Sequence, residues 1–247
     1  MPIDALILSA GEASRFGLPK FLLPAGRGRT LLTLALEKAL QSVDGGVVVV
    51  IGRDAGLARA AARDGLGPED VPRVRLVENP EFVQGLSTSV KAGVAALGAQ
   101  SALVLLADQP AISLAQLQQL ADHFAPPLWA VSASEGGEPK PPMILGSELL
   151  EQVQTLSGDQ GFKPLLRKNL ERVRLLEWGP GPWATDVDTW EVYRRLALEL
   201  GWQKEPFEPL DGPPTPDQLG RWLEAQKLDP QAYLSLLQRA VLTLLNL

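Results

Sequence analysis

Five short apolar runs recur along the chain: ALILSA at 5–10, VVVVIG at 47–52, VRLV at 74–77, ALVLLAD at 102–108 and LWAVSA at 128–133. They are near-continuous in Val, Ile and Leu rather than alternating with polar residues. Strands covered on both faces read this way, so a mostly parallel sheet is expected. Between the runs, residues 30–42, 55–64, 87–97 and 113–124 carry apolar residues at helical spacing. The repetition predicts a three-layer α/β/α fold around a mostly parallel, Rossmann-like sheet with right-handed crossovers. A chain of 247 residues, 45% hydrophobic, can bury a substantial core, and one main domain is expected over residues 1–200.

Composition removes several function classes. The formal net charge is -6 and the 23 Lys and Arg residues are scattered rather than striped, so duplex nucleic acid is a poor partner. The absence of cysteine excludes disulfides, zinc-thiolate sites and a thiol nucleophile. The start MPIDALILSAG has no basic segment before a long apolar run. Neither export signal nor membrane span is expected, and the cytoplasm is the expected location.

In open α/β sheets, ligands sit beyond the C-terminal ends of the strands, so the residues after each run are the ones to examine. The first such junction, LSAGEASRFGLPKFLLP at 8–24, brings Leu8, Ala10, Gly11, Ser14, Arg15, Gly17 and Lys20 together after a buried strand. Small residues let backbone N–H groups approach phosphate oxygens, and Arg15 and Lys20 supply charge that a triphosphate requires. The segment is neither G-x-x-x-x-G-K-[ST] nor G-x-G-x-x-G. The second junction ends in Asp108, Gln109 and Pro110: a carboxylate at a strand end can bind Mg²⁺, with Pro110 stiffening the turn. Its competing role is to cap the next helix, for which Ser113 is better placed. In the third, WATDVDTWEVYRRL at 183–196, Asp186 and Asp188 stand two apart. Either can complete a metal site with Asp108; equally, Asp188 can cap the following helix and Asp186 can be solvated.

Together these blocks resemble the molybdenum cofactor cytidylyltransferase group within the MobA-like nucleotidyltransferases, whose sheet is of the GT-A-like type. The opening motif LxAGxSxRMGxxKxLLP is matched by Leu8, Ala10, Gly11, Ser14, Arg15, Phe16 for Met, Gly17, Lys20, Leu22, Leu23 and Pro24. NPxWxxGxxxS is matched by Asn79, Pro80, Phe82 for Trp, Gly85 and Ser89, followed by Val90. DxP stands at Asp108 and Pro110, LSGDxG at 156–161 with Leu165 and Leu166 beyond it, and DxDT at Asp186, Asp188 and Thr189. One departure is at Lys140, Pro141, Pro142 and Met143, where relatives carry Gly-His-Pro or Gly-Asn-Pro before a strand; the polar side chain is missing. Val192 stands where a further acidic residue often follows DxDT, with Glu191 still present.

The resemblance implies that a phosphate on the acceptor attacks the α-phosphorus of a nucleoside triphosphate and pyrophosphate leaves. It assigns Arg15 and Lys20 to the triphosphate and Asp108 with Asp188 to Mg²⁺ (or Mn²⁺), making Arg15, Lys20 and Asp108 the catalytic set. Because a phosphate monoester is already anionic at neutral pH, no general base is needed, and His123 reads as a surface residue. By analogy with guanylyltransferases that carry Gly there, Ala10 favours cytosine, hence CTP. Asn79, Gly85 and Ser89, with Gly158 and Asp159, are candidates for the acceptor, molybdenum cofactor foremost; both segments can equally be helix caps. The alternatives are guanylyl transfer to the same cofactor, a sugar or polyol phosphate acceptor, and a catalytically silent relative that delivers cofactor to a molybdoenzyme partner. Pro206, Pro209, Pro213 and Pro214 mark 201–214 as a stiff linker. A small helical C-terminal extension is expected over 215–247, its apolar stripe of Tyr233, Leu237, Ala240, Val241, Leu244 and Leu245 packed on its own domain or on a partner.

Overall fold

A computed structural model of the chain describes residues 2–10, 19–26 and 29–202. A seven-stranded sheet runs through the middle in the order β3-β2-β1-β4-β6-β5-β7. The strands are β1 (Ile3–Ser9), β2 (Val47–Ile51), β3 (Val74–Glu78), β4 (Ser101–Leu106), β5 (Ala130–Glu135), β6 (Glu138–Leu145) and β7 (Val173–Glu177). β1 pairs in parallel with β2 and β4, β2 with β3, and β5 with β7, while β6 is antiparallel to both β4 and β5. The described helices are α1 (Leu31–Ser42), α2 (Ala55–Gly65), α3 (Leu86–Ala95), α4 (Leu114–His123), α5 (Ser147–Leu150), α6 (Lys163–Lys168) and α7 (Trp190–Glu199).

Burial on both faces accounts for the continuous apolar runs. Ala5 and Ile7 of β1 and Val47, Val49 and Ile51 of β2 join one core with α1, α2 and α4. Leu6, Leu8, Val48 and Val50 join the opposite core with α3, α5 and α6. Alternate side chains of β1 and β2 therefore enter different layers, and both layers are apolar. A third, smaller core joins Leu23, Ala25, Leu31 and Leu34 to Val187, Tyr193 and Leu196, packing α7 and the segment before it against the start of α1. Among the described residues no helix is long and apolar enough to cross a membrane. The linker from 203 onward and the C-terminal extension lie outside the described residues.

The expected strand at 102–108 ends earlier, at Leu106, which puts Asp108 in the turn beyond the sheet. The Lys140–Met143 departure is not ahead of a strand but inside β6. β6 carries three prolines, which cannot donate to a ladder. The chain accommodates two of them with a break in register: Met143 pairs with Ser132, and the next pair is Lys140 with Ala133. The Ser132 hydroxyl reaches the Lys140 carbonyl at 3.1 Å, and pairing with β4 stops at Met143. Pro141 and Pro142 thus fall where neighbouring strands make no demand on them, while Pro139 stays paired with Ser134.

Candidate nucleotide and metal site

Three segments far apart in sequence meet at the C-terminal ends of β1 and β4. A 3-10 turn, Lys20–Leu22, follows Pro19; Phe21 and Leu22 are buried and anchor it, leaving the Lys20 side chain as its polar projection. The Lys20 ammonium donates to Asp108 Oδ2 at 2.8 Å and to Asp188 Oδ1 at 2.9 Å. Burial opposes its charge, but the attraction of Asp108 and the hydrogen bonds to both carboxylates outweigh that, holding its pKa above the ordinary lysine value.

The 186–188 segment is clipped onto the turn after β4. Val187, fully buried in the third core, donates its backbone N–H to the Asp108 carbonyl at 2.9 Å. Gln109 Nε2 donates to Asp186 Oδ1 at 2.8 Å. Desolvation, and then the negative charge of Asp108, push the Asp186 carboxyl above its usual range, with the Gln109 bond pulling the other way. With Val187 pointing into the core, Asp186 braces the turn and Asp188 turns to Lys20. The cap of α7 is Thr189, whose side chain accepts from Val192 N, so Asp188 is not consumed as a helix cap. Ser113, likewise, caps α4 and forms a capping box with Gln116, leaving Asp108 free of that role.

Two further residues position the site, and neither is marked in the sequence. Lys38 on α1 donates to the Pro110 carbonyl at 2.6 Å; burial, and then the Arg29 charge, pull its pKa down to about 8. The buried Tyr193 hydroxyl donates to the Pro24 carbonyl at 2.7 Å. Tyr193 lies five residues after Asp188 and Pro24 four after Lys20, so this bond fixes the Lys20 segment to the Asp188 segment. Both contacts join residues more than 70 positions apart, which local pattern cannot reveal.

Of the nucleotide-loop residues, Leu8 is the last buried position of β1, and the Ala10 carbonyl would stand 2.9 Å from a Cβ on Gly52. The ends of β1 and β2 therefore lie close together, and a side chain at position 52 would separate them. Gly11, Ser14 and Arg15 lie outside the described residues. On the acceptor candidates the geometry favours capping and packing. Asn79 and Ser89 are buried, and the Asn79 amide donates to Thr88 Oγ1 at 2.8 Å and Ser89 Oγ at 2.9 Å; these groups shape the loop from within. Gly85, with φ +116°, approaches Gly158 so closely that a Cβ would stand 2.4 Å from the Gly158 backbone. The Gly158 carbonyl accepts from Ser87 N at 3.0 Å in the first turn of α3. The two acceptor segments are therefore one packed unit, from which Asp159 is exposed. His123 is the last residue of α4 and is half-buried, its Nδ1 2.8 Å from the Gln119 carbonyl.

Two carboxylates from different segments grip one cation between them, which suits a divalent ion completed by water and phosphate oxygens. Among the described residues there is no group of three or more His, Cys, Asp or Glu that could hold a metal ion, and Asp108 and Asp188 are the carboxylates that share Lys20. A mostly parallel α/β sheet with cation and carboxylates converging beyond its central strands suits a nucleotide-handling domain. Residues 5–173 match the MobA-like NTP transferase domain, and the chain belongs to that nucleotidyltransferase family. It is 33% identical over 203 residues to nicotine blue oxidoreductase of Paenarthrobacter nicotinovorans, covering 78% of this chain and 96% of that one. It is 31% identical over 112 residues to molybdenum cofactor cytidylyltransferase of Escherichia coli K12, covering 45% and 54% respectively. The fold superposes on Rv0371c of Mycobacterium tuberculosis H37Rv, solved as a complex with manganese, with a TM-score of 0.62 and 26% identity over 79% of this chain and 98% of that one.

Proposed function

We propose that this protein transfers a nucleoside monophosphate from a nucleoside triphosphate, CTP in preference, to a phosphate-bearing acceptor, with molybdenum cofactor the leading candidate. The observation that carries this reading is the convergence of Lys20, Asp108 and Asp188 at 2.8 and 2.9 Å. An acceptor phosphate oxygen attacks the α-phosphorus, the bond between the α-phosphorus and the bridging oxygen breaks, and pyrophosphate leaves. Lys20, with Arg15, holds the negative triphosphate, and Asp108 and Asp188 hold the divalent cation. Mg²⁺ or Mn²⁺, when bound, supplies neutralisation of charge on the phosphate oxygens. The manganese complex of Rv0371c supports a divalent ion in this family, and the cytidylyltransferase relative supports the cytosine preference that Ala10 suggests. Delivery of cofactor to a molybdoenzyme partner belongs to the alternative of a catalytically silent carrier.

The proline pair in β6 leaves a sugar or polyol phosphate acceptor as a second arm, and the name of the nicotine blue relative adds a redox arm. The test is a panel of the four ribonucleoside triphosphates with Mg²⁺ and either molybdenum cofactor or sugar phosphates, scored by pyrophosphate release, beside an assay of dye reduction with a nicotinamide cofactor. Pyrophosphate release with CTP and molybdenum cofactor is expected. Release only with sugar phosphates overturns the acceptor, and no release with any pair overturns the reaction in favour of the silent carrier or the redox arm.

A further inference from the structure

Lys20 stands on the very oxygens that the proposed function assigns to the metal. Its ammonium lies 2.8 Å from Asp108 Oδ2 and 2.9 Å from Asp188 Oδ1, at full hydrogen-bonding distance. A lysine ammonium and a divalent ion both seek these lone pairs, and each repels the other at such short range. The two carboxylates differ from others in the molecule that are satisfied by backbone. Asp4 accepts from the amides of Gly46, Gly98 and Ala99, whereas Asp108 and Asp188 find their side-chain partner, among the described residues, in Lys20. That partner can leave. Phe21 and Leu22 root the turn in the core, while the four-carbon stem of Lys20 is flexible and its three donors are not tied to one geometry. A triphosphate, carrying several negative charges, offers the ammonium a better partner than two carboxylates do.

We propose that Lys20 is a resident competitor for the metal position, holding Asp108 and Asp188 together as their counter-ion and releasing them to a divalent cation when a triphosphate takes over its ammonium. The proposal rests on the reading of Asp108 and Asp188 as metal ligands. Its consequence is synergy: the metal alone binds weakly, and triphosphate and metal each raise the affinity for the other by the same factor.

The experiment measures Mn²⁺ binding to the full chain by electron paramagnetic resonance, without nucleotide and with a non-hydrolysable CTP analogue. Wild type is expected to bind Mn²⁺ at least about tenfold more tightly with the analogue present. Lys20→Met is expected to bind Mn²⁺ alone at least about tenfold more tightly than wild type and to lose most of the synergy, with Lys20→Gln doing the same should Met disturb the turn. Lys20→Arg keeps the charge and is expected to stay as weak as wild type. Lys163→Met on α6, which removes an equal charge from its pair with Glu138 of β6, is expected to change Mn²⁺ affinity by less than about threefold, separating local competition from net charge. Unchanged or weaker Mn²⁺ binding by both Lys20→Met and Lys20→Gln overturns the competitor role, as does a matching gain in Lys163→Met. Wild-type Mn²⁺ binding by Asp108→Asn and Asp188→Asn overturns instead the metal-site reading on which it rests.

Discussion

The two ends of β1 carry carboxylates in contrasting states. At the N-terminal end, Asp4 is buried and saturated by three backbone N–H groups at 2.6 to 2.9 Å. Beside it, Arg73 donates to the carbonyls of Leu40, Val43 and Gly45. A Cβ on Gly45 would stand 2.3 Å from Asp4 Oδ1, so that end admits neither exchange nor ligand. At the C-terminal end, Asp108 and Asp188 are 27% and 53% exposed and share one lysine. Carboxylates bound by backbone amides hold the sheet together; carboxylates bound by a side chain that can move elsewhere keep coordination capacity for a ligand.

Replacing one carboxylate at each end separates these roles. Asp108→Asn is expected to lower turnover on the order of 10³-fold, by removing charge from the proposed metal pair, with a thermal midpoint close to wild type; retained turnover places Asp108 with the structural group. Asp4→Ala is expected to cost about 3 kcal/mol in urea unfolding, because three buried amides lose their acceptor, while KM stays unchanged; a stability near wild type removes the contrast. Tyr193→Phe leaves the Pro24 carbonyl buried without its donor, and is expected to cost about 1 to 2 kcal/mol and to raise the triphosphate KM by loosening the Lys20 segment. A stability loss with unaltered KM makes that bond purely structural.

A pH-dependent contrast concerns Lys38. Its pKa in the fold is depressed to about 8 by burial and then by Arg29, so between about pH 8 and the ordinary lysine value the unfolded chain binds the extra proton. Stability from this group rises with pH through that window and is at its lowest below it, where the ammonium is charged in both states. Wild type is therefore expected to gain stability relative to Lys38→Met as pH rises from about 8 toward 10; a flat difference contradicts the burial of the charge.

How far the fold was legible differs between two edge strands with the same burial pattern. β3 reads VRLVE and β7 reads VRLLE, each half-buried at its first, third and fourth positions and exposed at the other two. Valine marks the first as a strand, whereas the paired leucines of the second suit a helix equally well. β6 was hidden for another reason: its prolines argue against a strand placed between two neighbours, and the register break beside Ser132 accommodates Pro141 and Pro142. At the site, Lys20, Asp108 and Asp188 could be named from their motifs, but not the ammonium between the carboxylates, the Gln109 brace on Asp186, or Tyr193 and Lys38. Those depend on which residues distant in sequence become neighbours. In the Asn79–Ser89 block, singled out for ligand contact, the Asn79 amide donates to Thr88 and Ser89 in the first turn of α3, a pairing that the motif alone does not reveal.

The central claim, nucleotidyl transfer at Lys20, Asp108 and Asp188, is tested most directly by the fate of isotopic label. CTP labelled at the α-phosphorus or, separately, at the γ-phosphorus is incubated with Mg²⁺, molybdenum cofactor and either wild type or Asp108→Asn. Transfer predicts α-label in the acceptor product, γ-label in pyrophosphate in equal amount, and loss of both signals in the variant. Release of γ-label as inorganic phosphate, its transfer to the acceptor, or undiminished transfer by Asp108→Asn would contradict it.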